Sequence, residues 1–244
     1  MKKIYWAIVV AILGLSYSCS GMLDSIEPYI KEGETIQVGK LDSLVAYSGY
    51  NRAKIKGAML YGVNQTKCEI TWLDPNTLQK QRKEFPIVRQ LAGETFEFEL
   101  NNLPEGQYDF VVITFDSGGN QSIPNEVSTY IYGDIYQSTL INRECRSISG
   151  EEIPDEDENP IWVARIVWNI TRGEDVVGYE VSYETVNDVT ATVFSPVTEP
   201  STVLRDFKPE GWLRYTTVYQ PGFNPIDSFY PSEAIETVLP PAKD

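Results

Sequence analysis

Apolar and polar residues alternate with a period of two along much of the chain, which is the pattern of β-strands with one buried face. From Phe96 to Leu100, for example, apolar residues are separated by Glu97 and Glu99. The alternating runs are short, and turn sequences such as Asp74-Pro75-Asn76 separate them. The pattern therefore predicts an all-β chain of antiparallel strands.

One turn and strand occur twice. Leu103-Pro104-Glu105-Gly106 leads into an apolar strand that contains Tyr108, and Pro209-Glu210-Gly211 leads into another strand 105 positions after the first Pro-Glu-Gly. We therefore predict two tandem immunoglobulin-like or fibronectin type III-like β-sandwiches, at residues 33–133 and 134–240. Tyr108 is at the place of a tyrosine corner, so its hydroxyl should donate to backbone a few residues upstream.

The start of the second predicted sandwich is less regular. Residues 136–146 could form an edge strand. The acidic run 151–160 is predicted to be a solvated loop, because it has little apolar surface to bury. Alternate Asp155, Asp157 and Asn159 resemble a calcium loop, but the Gly and distal Glu of the EF-hand pattern are missing, so no metal site is predicted.

The N-terminus has the three parts of an export signal. Lys2 and Lys3 precede the apolar run from Ile4 to Leu15, which is short for a membrane span, and Cys19 follows directly after a small residue, Ser18. This resembles a bacterial lipoprotein signal, in which the Cys becomes the acylated N-terminus. We predict a signal peptide at residues 1–18 and a lipidated tether at residues 19–32. The alternative is an ordinary cleaved signal with Cys19 there by chance.

Composition argues against several classes of function. The formal net charge of −15 opposes binding to nucleic acids and to anionic headgroups. The chain has no His, which removes the commonest general base and the commonest transition-metal ligand. No carboxylate pair lies in a distinctive motif, and small sandwiches offer little room for a deep cleft. We therefore predict no glycosidase or other enzyme, no catalytic residues and no cofactor.

Two cysteines fall in different predicted sandwiches. Cys68 and Cys145 could form a disulfide outside the cytoplasm, or both could be unpaired thiols. Cys68 shares a strand face with Ile70, as a small core residue would. Three tryptophans within strand patterns are also predicted to be core residues: Trp72, Trp162 and Trp168.

Aromatic residues near the last strands are candidates for sugar binding, because the apolar C–H face of a pyranose stacks on aromatic rings. The candidate glycan-binding residues are Trp212, Tyr219, Phe223, Phe229 and Tyr230. Trp212 follows the Gly of a tight turn, where an exposed side chain is expected. The alternative is that these rings pack the end of the sandwich or the interface between the two units.

Short motifs along the exported chain carry a family resemblance. They are Gly33-Glu34, Gly39-Lys40-Leu41-Asp42-Ser43, Ser48-Gly49, Asn51-Arg52, Leu103-Pro104-Glu105-Gly106, Asp116, Gly119-Asn120, Tyr132-Gly133-Asp134, Tyr136, Leu140, Asn142-Arg143 and Ile226-Asp227-Ser228-Phe229-Tyr230. With these motifs the chain resembles a family of Bacteroidetes lipoproteins known as domain of unknown function 4998. The resemblance implies an anchored cell-envelope protein of gut bacteria that is often encoded beside polysaccharide-uptake machinery and has no catalytic residues.

We therefore expect a non-enzymatic protein held at the outer membrane by its lipid anchor, on either the periplasmic or the outer face. Its expected role is to bind extracellular glycan or to organise a polysaccharide-uptake assembly, and its expected partners are polysaccharide or outer-membrane glycan-uptake proteins. The alternative is a protein-binding adhesin or a structural spacer without a sugar site.

Overall fold

A computed structural model describes residues 38–62, 64–88, 93–169 and 175–243, so Cys19 and the predicted signal and tether lie outside the described residues. The strands of the first half are β1 Asp42–Gly49, β2 Arg52–Met59, β3 Gln65–Leu73, β4 Lys80–Pro86, β5 Glu94–Asn101, β6 Gly106–Asp116 and β7 Asn125–Ile131. A short helix, α1, spans Asp134–Thr139. The strands of the second half are β8 Cys145–Pro154, β9 Pro160–Trp168, β10 Val176–Glu184, β11 Thr190–Pro196, β12 Ser201–Leu204, β13 Trp212–Tyr219 and β14 Ile235–Val238.

The same arrangement of antiparallel strands occurs twice. In the first half, a three-stranded sheet β1-β2-β5 accompanies a four-stranded sheet β4-β3-β6-β7. In the second half, the three-stranded sheet is β8-β9-β12 and the four-stranded sheet is β11-β10-β13-β14. These are two tandem β-sandwiches of the fibronectin type III kind, which confirms the predicted fold class. The residue bounds given above for the two sandwiches stay predictions.

Tyr108 forms the predicted tyrosine corner. Its hydroxyl donates to the carbonyl oxygen of Pro104 at 2.9 Å, and its ring is almost fully buried in the first core. Burial raises the pKa of Tyr108 to about 12, so the hydroxyl stays a proton donor. In the second sandwich the position two residues after the repeated Gly is Leu213, which is fully buried and has no hydroxyl to donate.

The second core is centred on Trp168, as predicted. Its indole stacks on Tyr179 with ring centroids 3.9 Å apart, and its Nε1 donates to Ser195 Oγ and Thr202 Oγ1. The core therefore satisfies the one polar atom of this large side chain. Trp72 and Trp162 are half-buried and pack against the first and second cores, respectively.

The prediction of an edge strand at residues 136–146 was wrong for most of that range. The chain forms helix α1 there, and β8 begins only at Cys145. The helix forms because of the Glu105 carboxylate, which lies about 30 residues earlier in the chain. It accepts hydrogen bonds from the backbone N–H groups of Ile135 at 2.9 Å and Tyr136 at 3.0 Å. These groups have no partner within a first helical turn, so Glu105 caps the helix.

The prediction of a loop over the whole acidic run was also wrong. Strands β8 and β9 form a hairpin in which Glu151 pairs with Val163, and only residues 155–159 are outside the strands. Strand pairing satisfies the backbone while the acidic side chains stay in solvent. The Asp155 carboxylate accepts from the backbone of Asp157 and Asn159, and the described part of the chain has no cluster of three or more metal-ligating residues.

Cys68 and Cys145 are free thiols. Cys68 is fully buried in the first core, and burial raises its pKa to about 12, so it is an unreactive packing residue.

Candidate functional site

An open groove of about 570 Å³ lies on the outer face of the four-stranded sheet of the second sandwich. We call it the aromatic groove and define it by residues that line it: Glu180, Ser182, Trp212, Arg214, Tyr230 and Glu236. Because side chains alternate along a strand, Trp212, Arg214 and Thr216 of β13 all face outward, while Leu213 is buried. The period-two pattern that builds the core therefore also builds this face.

Strand register places the polar groups of the groove side by side. Ser182 of β10 pairs with Arg214, and Arg214 pairs with Glu236 of β14. Arg214 Nε lies 4.0 Å from Glu236 Oε1, and both side chains are well exposed. Glu180 pairs with Thr216 in the next row on the same face of the sheet. The groove thus offers hydroxyl, carboxylate and guanidinium groups on one surface.

Two aromatic side chains accompany these polar groups. Trp212 is 40% exposed at the start of β13, and Tyr230 is half-buried in the segment before β14. Burial and the nearby Glu180 carboxylate raise the pKa of Tyr230, which keeps its hydroxyl protonated at neutral pH. The groove therefore combines apolar ring surface with hydrogen-bonding groups.

The other three candidate aromatics lie elsewhere. Tyr219 is buried and donates its hydroxyl to the carbonyl oxygen of Ile141 at 2.6 Å. Phe229 is 2% exposed, and its ring is covered by those of Tyr50, Tyr132 and Tyr136. Phe223 is 85% exposed, but it lies beside β1 and β7 of the first sandwich. Of the five candidates, only Trp212 and Tyr230 line the aromatic groove, whereas Tyr219 and Phe229 pair through their backbones in a separate buried cluster.

Phe229 belongs to a contact between the two sandwiches, which we call the joint and define as segment 224–229 packed against residues 48–52. Asp227 is its centre. The Asp227 carboxylate accepts from Arg52 Nη2 at 2.6 Å, from Arg52 Nε at 2.9 Å and from the Tyr50 backbone N–H at 2.8 Å. The Arg52 guanidinium holds the pKa of Asp227 below its usual range.

Backbone contacts complete the joint. The Ser48 N–H donates to the Asn224 carbonyl at 3.2 Å, and the Ile226 N–H donates to the Ser48 carbonyl at 2.8 Å. A Cβ atom on Gly49 would lie 2.5 Å from Asp227 Oδ2, so only glycine allows this approach. The alternative that the candidate rings pack between the two units holds for Phe229, but sequence reasoning missed the Arg52–Asp227 pair, since nothing in one sequence pairs Arg52 with a carboxylate so far along the chain.

The sequence model of the domain of unknown function DUF4998 matches residues 19–229. The chain belongs to the DUF4998 family. A comparison with curated proteins found no significant match. Helices within the described ranges are all too short or too polar to cross a membrane.

Solved structures of tandem fibronectin type III domains are similar to this DUF4998 chain. The FN1–FN3 domains of chicken CNTN1 share 15% identity at a TM-score of 0.45, over 83% of this chain and 66% of that one, which is just under two thirds of its length. A two-domain fibronectin type III segment of chicken tenascin shares 17% identity at a TM-score of 0.30, over 82% and 99% of the two chains.

Many of the motifs quoted for the resemblance to DUF4998 meet at or beside the joint. Asn51 accepts from the Leu103 N–H and donates to the Tyr132 carbonyl through its backbone, and a Cβ on Gly133 would lie 2.4 Å from its side chain. Asn142 accepts from the Thr217 N–H at 2.8 Å through its side chain. Trp212 is in none of these motifs. These motifs therefore include Ser48, Arg52, Ile226 and Asp227 of the joint, and of the two groove rings they include only Tyr230.

Proposed function

We propose that this DUF4998 protein is a non-enzymatic glycan-binding protein of the cell envelope and that the aromatic groove is its binding face. One observation carries the proposal: Trp212 and Tyr230 line one open groove together with hydroxyl and carboxylate side chains. A sugar offers an apolar C–H face and a rim of hydroxyls, and the groove has a matching group for each.

The charge of the groove favours a neutral glycan. Glu180 and Glu236 face the groove against one guanidinium, that of Arg214, and the whole chain carries −15. Uronic acids and sulfated sugars would be repelled, whereas the hydroxyls of a neutral sugar can donate to the carboxylates. Because the groove is open along the sheet, we propose binding without cleavage of the glycan.

The location of the protein at the outer membrane is also part of the proposal. Acylation of Cys19 would hold the chain at the outer membrane, and the tether would let the sandwiches reach polysaccharide or the proteins that import it. The support for this part is the signal-like N-terminal sequence.

The test is retention of the purified full chain on a panel of neutral and acidic polysaccharides by affinity electrophoresis. We expect retention on a neutral polymer, weakened about tenfold by Trp212→Ala or Tyr230→Ala because each removes a stacking surface, a loss of about 1.4 kcal/mol. Phe223→Ala is the matched control, since this ring is more exposed but lies outside the groove.

Two results would count against this function. Equal weakening by the Phe223 control would mean that the effect is not local to the aromatic groove. Absence of retention on every polymer would instead favour the alternative of an adhesin or spacer. Release of reducing sugar during incubation would contradict the non-enzymatic part alone.

A further inference from the structure

A second groove lies on the four-stranded sheet of the first sandwich, at the place that corresponds to the aromatic groove. Its volume is about 610 Å³, and we call it the apolar groove. The apolar residues that line it include Leu73, Pro75, Leu78, Val111, Ile113 and Pro124. Leu73 is 56% exposed and Leu78 is 74% exposed. Clustered aliphatic side chains in solvent indicate an interaction surface.

The repeat shows how the two grooves differ. Gln107 and Val111 of β6 are at the positions of Trp212 and Thr216 in β13. Thr71 pairs with Val111, and Glu180 pairs with Thr216, so Thr71 of β3 is at the position of Glu180 in β10. Two residues further along these strands, Leu73 is at the position of Ser182. At two of these positions the first groove has an aliphatic residue, Leu73 or Val111, where the second has a hydroxyl, Ser182 or Thr216, and the first groove has Gln107 in place of Trp212. Trp72 also lines the apolar groove, and together with these aliphatic residues it gives the groove an apolar surface that suits aliphatic side chains.

The turn between β3 and β4 holds Leu78 in a fixed, exposed position. The Asp74 carboxylate accepts from the backbone N–H groups of Asn76 and Thr77, and the Leu78 N–H donates to the Asp74 carbonyl at 2.8 Å. Leu78 has a φ of 57°, in the left-handed region that leucine rarely occupies. A strained leucine kept in solvent by a built turn is a feature expected of a binding surface.

Charge indicates what the apolar groove would accept. Glu69, Asp74, Asp109 and Lys80 line it, and since Glu69 is ion-paired with Arg82 at 3.8 Å, Asp74 and Asp109 are left against one base, Lys80. Backbone hydrogen bonds from Thr77 and Asn76 lower the pKa of Asp74, so it is ionised at neutral pH. A second copy of a chain with a charge of −15 would be repelled, whereas a basic segment would be attracted.

We propose that the apolar groove docks a segment of another protein that carries aliphatic side chains flanked by Lys or Arg. Leu78 is the anchor of this contact, with Leu73 and Ile113 beside it, and the carboxylates receive the basic flanks. The proposal does not depend on glycan binding, because it uses the opposite sandwich and a surface of different chemistry.

The test uses short synthetic peptides with the same aliphatic residues and with Lys, Ser or Asp at the flanks, measured against the purified full chain by fluorescence anisotropy. We expect the Lys peptides to bind about tenfold more tightly than the Asp peptides. Leu78→Asn should weaken binding of the Lys peptides about tenfold. Because Asn tolerates the left-handed region, this variant should melt no lower than the native chain.

The matched control is Val186→Asn, which removes another exposed aliphatic group, from a turn of the second sandwich, and should leave peptide binding unchanged. Equal binding of the three peptide sets, or equal loss in the two variants, would overturn the proposal. A concentration-dependent dimer that Leu78→Asn abolishes would also overturn it, since the occupant would be a second copy. Polysaccharide retention by Leu78→Asn should equal that of the native chain, so failure of one proposal is distinguishable from failure of the other.

Discussion

Asp227 accepts three hydrogen bonds from the first sandwich, two from Arg52 and one from the Tyr50 backbone. Its carboxylate is 22% exposed, so it is much less hydrated than in the unfolded chain. Its pKa is lowered in the folded state, so the ionised form contributes stability above the unfolded pKa of about 3.9. That contribution is lost as the pH falls through the lowered folded pKa.

Asp227→Asn should therefore lower the free energy of unfolding by roughly 1–3 kcal/mol at pH 7, because it leaves Arg52 without its charged partner. The variant should also lose less stability than the native chain between pH 5 and the acid limit. Urea unfolding followed by tryptophan fluorescence at several pH values measures both effects. Glu97→Gln is the control, since Glu97 pairs with Lys54 and Lys56 on the open surface. This substitution should change the free energy of unfolding by close to zero. A shift as large as that of Asp227→Asn would contradict the special role of the joint.

Residue roles could be predicted where the local pattern determines them. Tyr108 follows a tight turn and begins an alternating strand, so its burial and hydroxyl bond followed from sequence. The burial of Trp168 could also be predicted, because this residue lies within an alternating strand pattern. Tyr219 and Phe229 could not be assigned, because an aromatic ring near a loop can cover a core or face solvent, and the choice depends on where the loop folds back.

Elements were predictable where hydrophobic periodicity forms them. Strands β5 and β6 have clear alternation, and the pattern located them directly. Helix α1 has no such signal, since Ile135 and Tyr136 are its only apolar or aromatic residues and none of its side chains is buried. It exists because Glu105, in a turn of the first sandwich, caps its first N–H groups. A contact between distant residues cannot be read from local periodicity.

Glu105→Ala should remove helix α1 as an ordered element. The change deletes the acceptor for the Ile135 and Tyr136 N–H groups, which should cost about 0.5–2 kcal/mol of stability, as for other lost helix caps. Hydrogen exchange should show faster exchange at Ile135 and Tyr136, with the β6 amides unchanged. Glu105→Gln keeps a hydrogen-bond acceptor, so its exchange rates at Ile135 and Tyr136 should lie between those of the native chain and the Ala variant. Slow exchange at both amides in the Ala variant would contradict the capping role.

At the scale of the molecule, the joint connects two sandwiches that each have their own core. The Gly49 Cα lies so close to Asp227 and Ile226 that a methyl group would displace the segment 224–229. Gly49→Ala should therefore turn one calorimetric unfolding transition into two, because the sandwiches would unfold separately. Gly118→Ala is the control, since its nearest neighbour would be a flexible side chain at 3.2 Å and one transition should remain. A single transition in Gly49→Ala would show that the joint does not couple the sandwiches.

Attachment to the membrane is also a property of the whole molecule. If Cys19 is acylated, Cys19→Ala should abolish incorporation of labelled fatty acid and release the protein from membranes, because the acyl chains attached to Cys19 would hold it there. Labelling in cells followed by fractionation measures both. Retention of the variant in the membrane fraction without labelling would contradict the lipid-anchor proposal.

The position of the joint along the chain has a consequence for how the protein matures. The segment 224–229 follows β13 and precedes only β14, whereas the seven strands of the first sandwich end at Ile131. If the chain is exported from its N-terminus, the first sandwich can form early, but Ser48 and Arg52 receive their partners only after the segment 224–229 has also crossed. A prematurely truncated product would still contain a folded first sandwich, but the exposed edge of β1 would distinguish it from the finished protein.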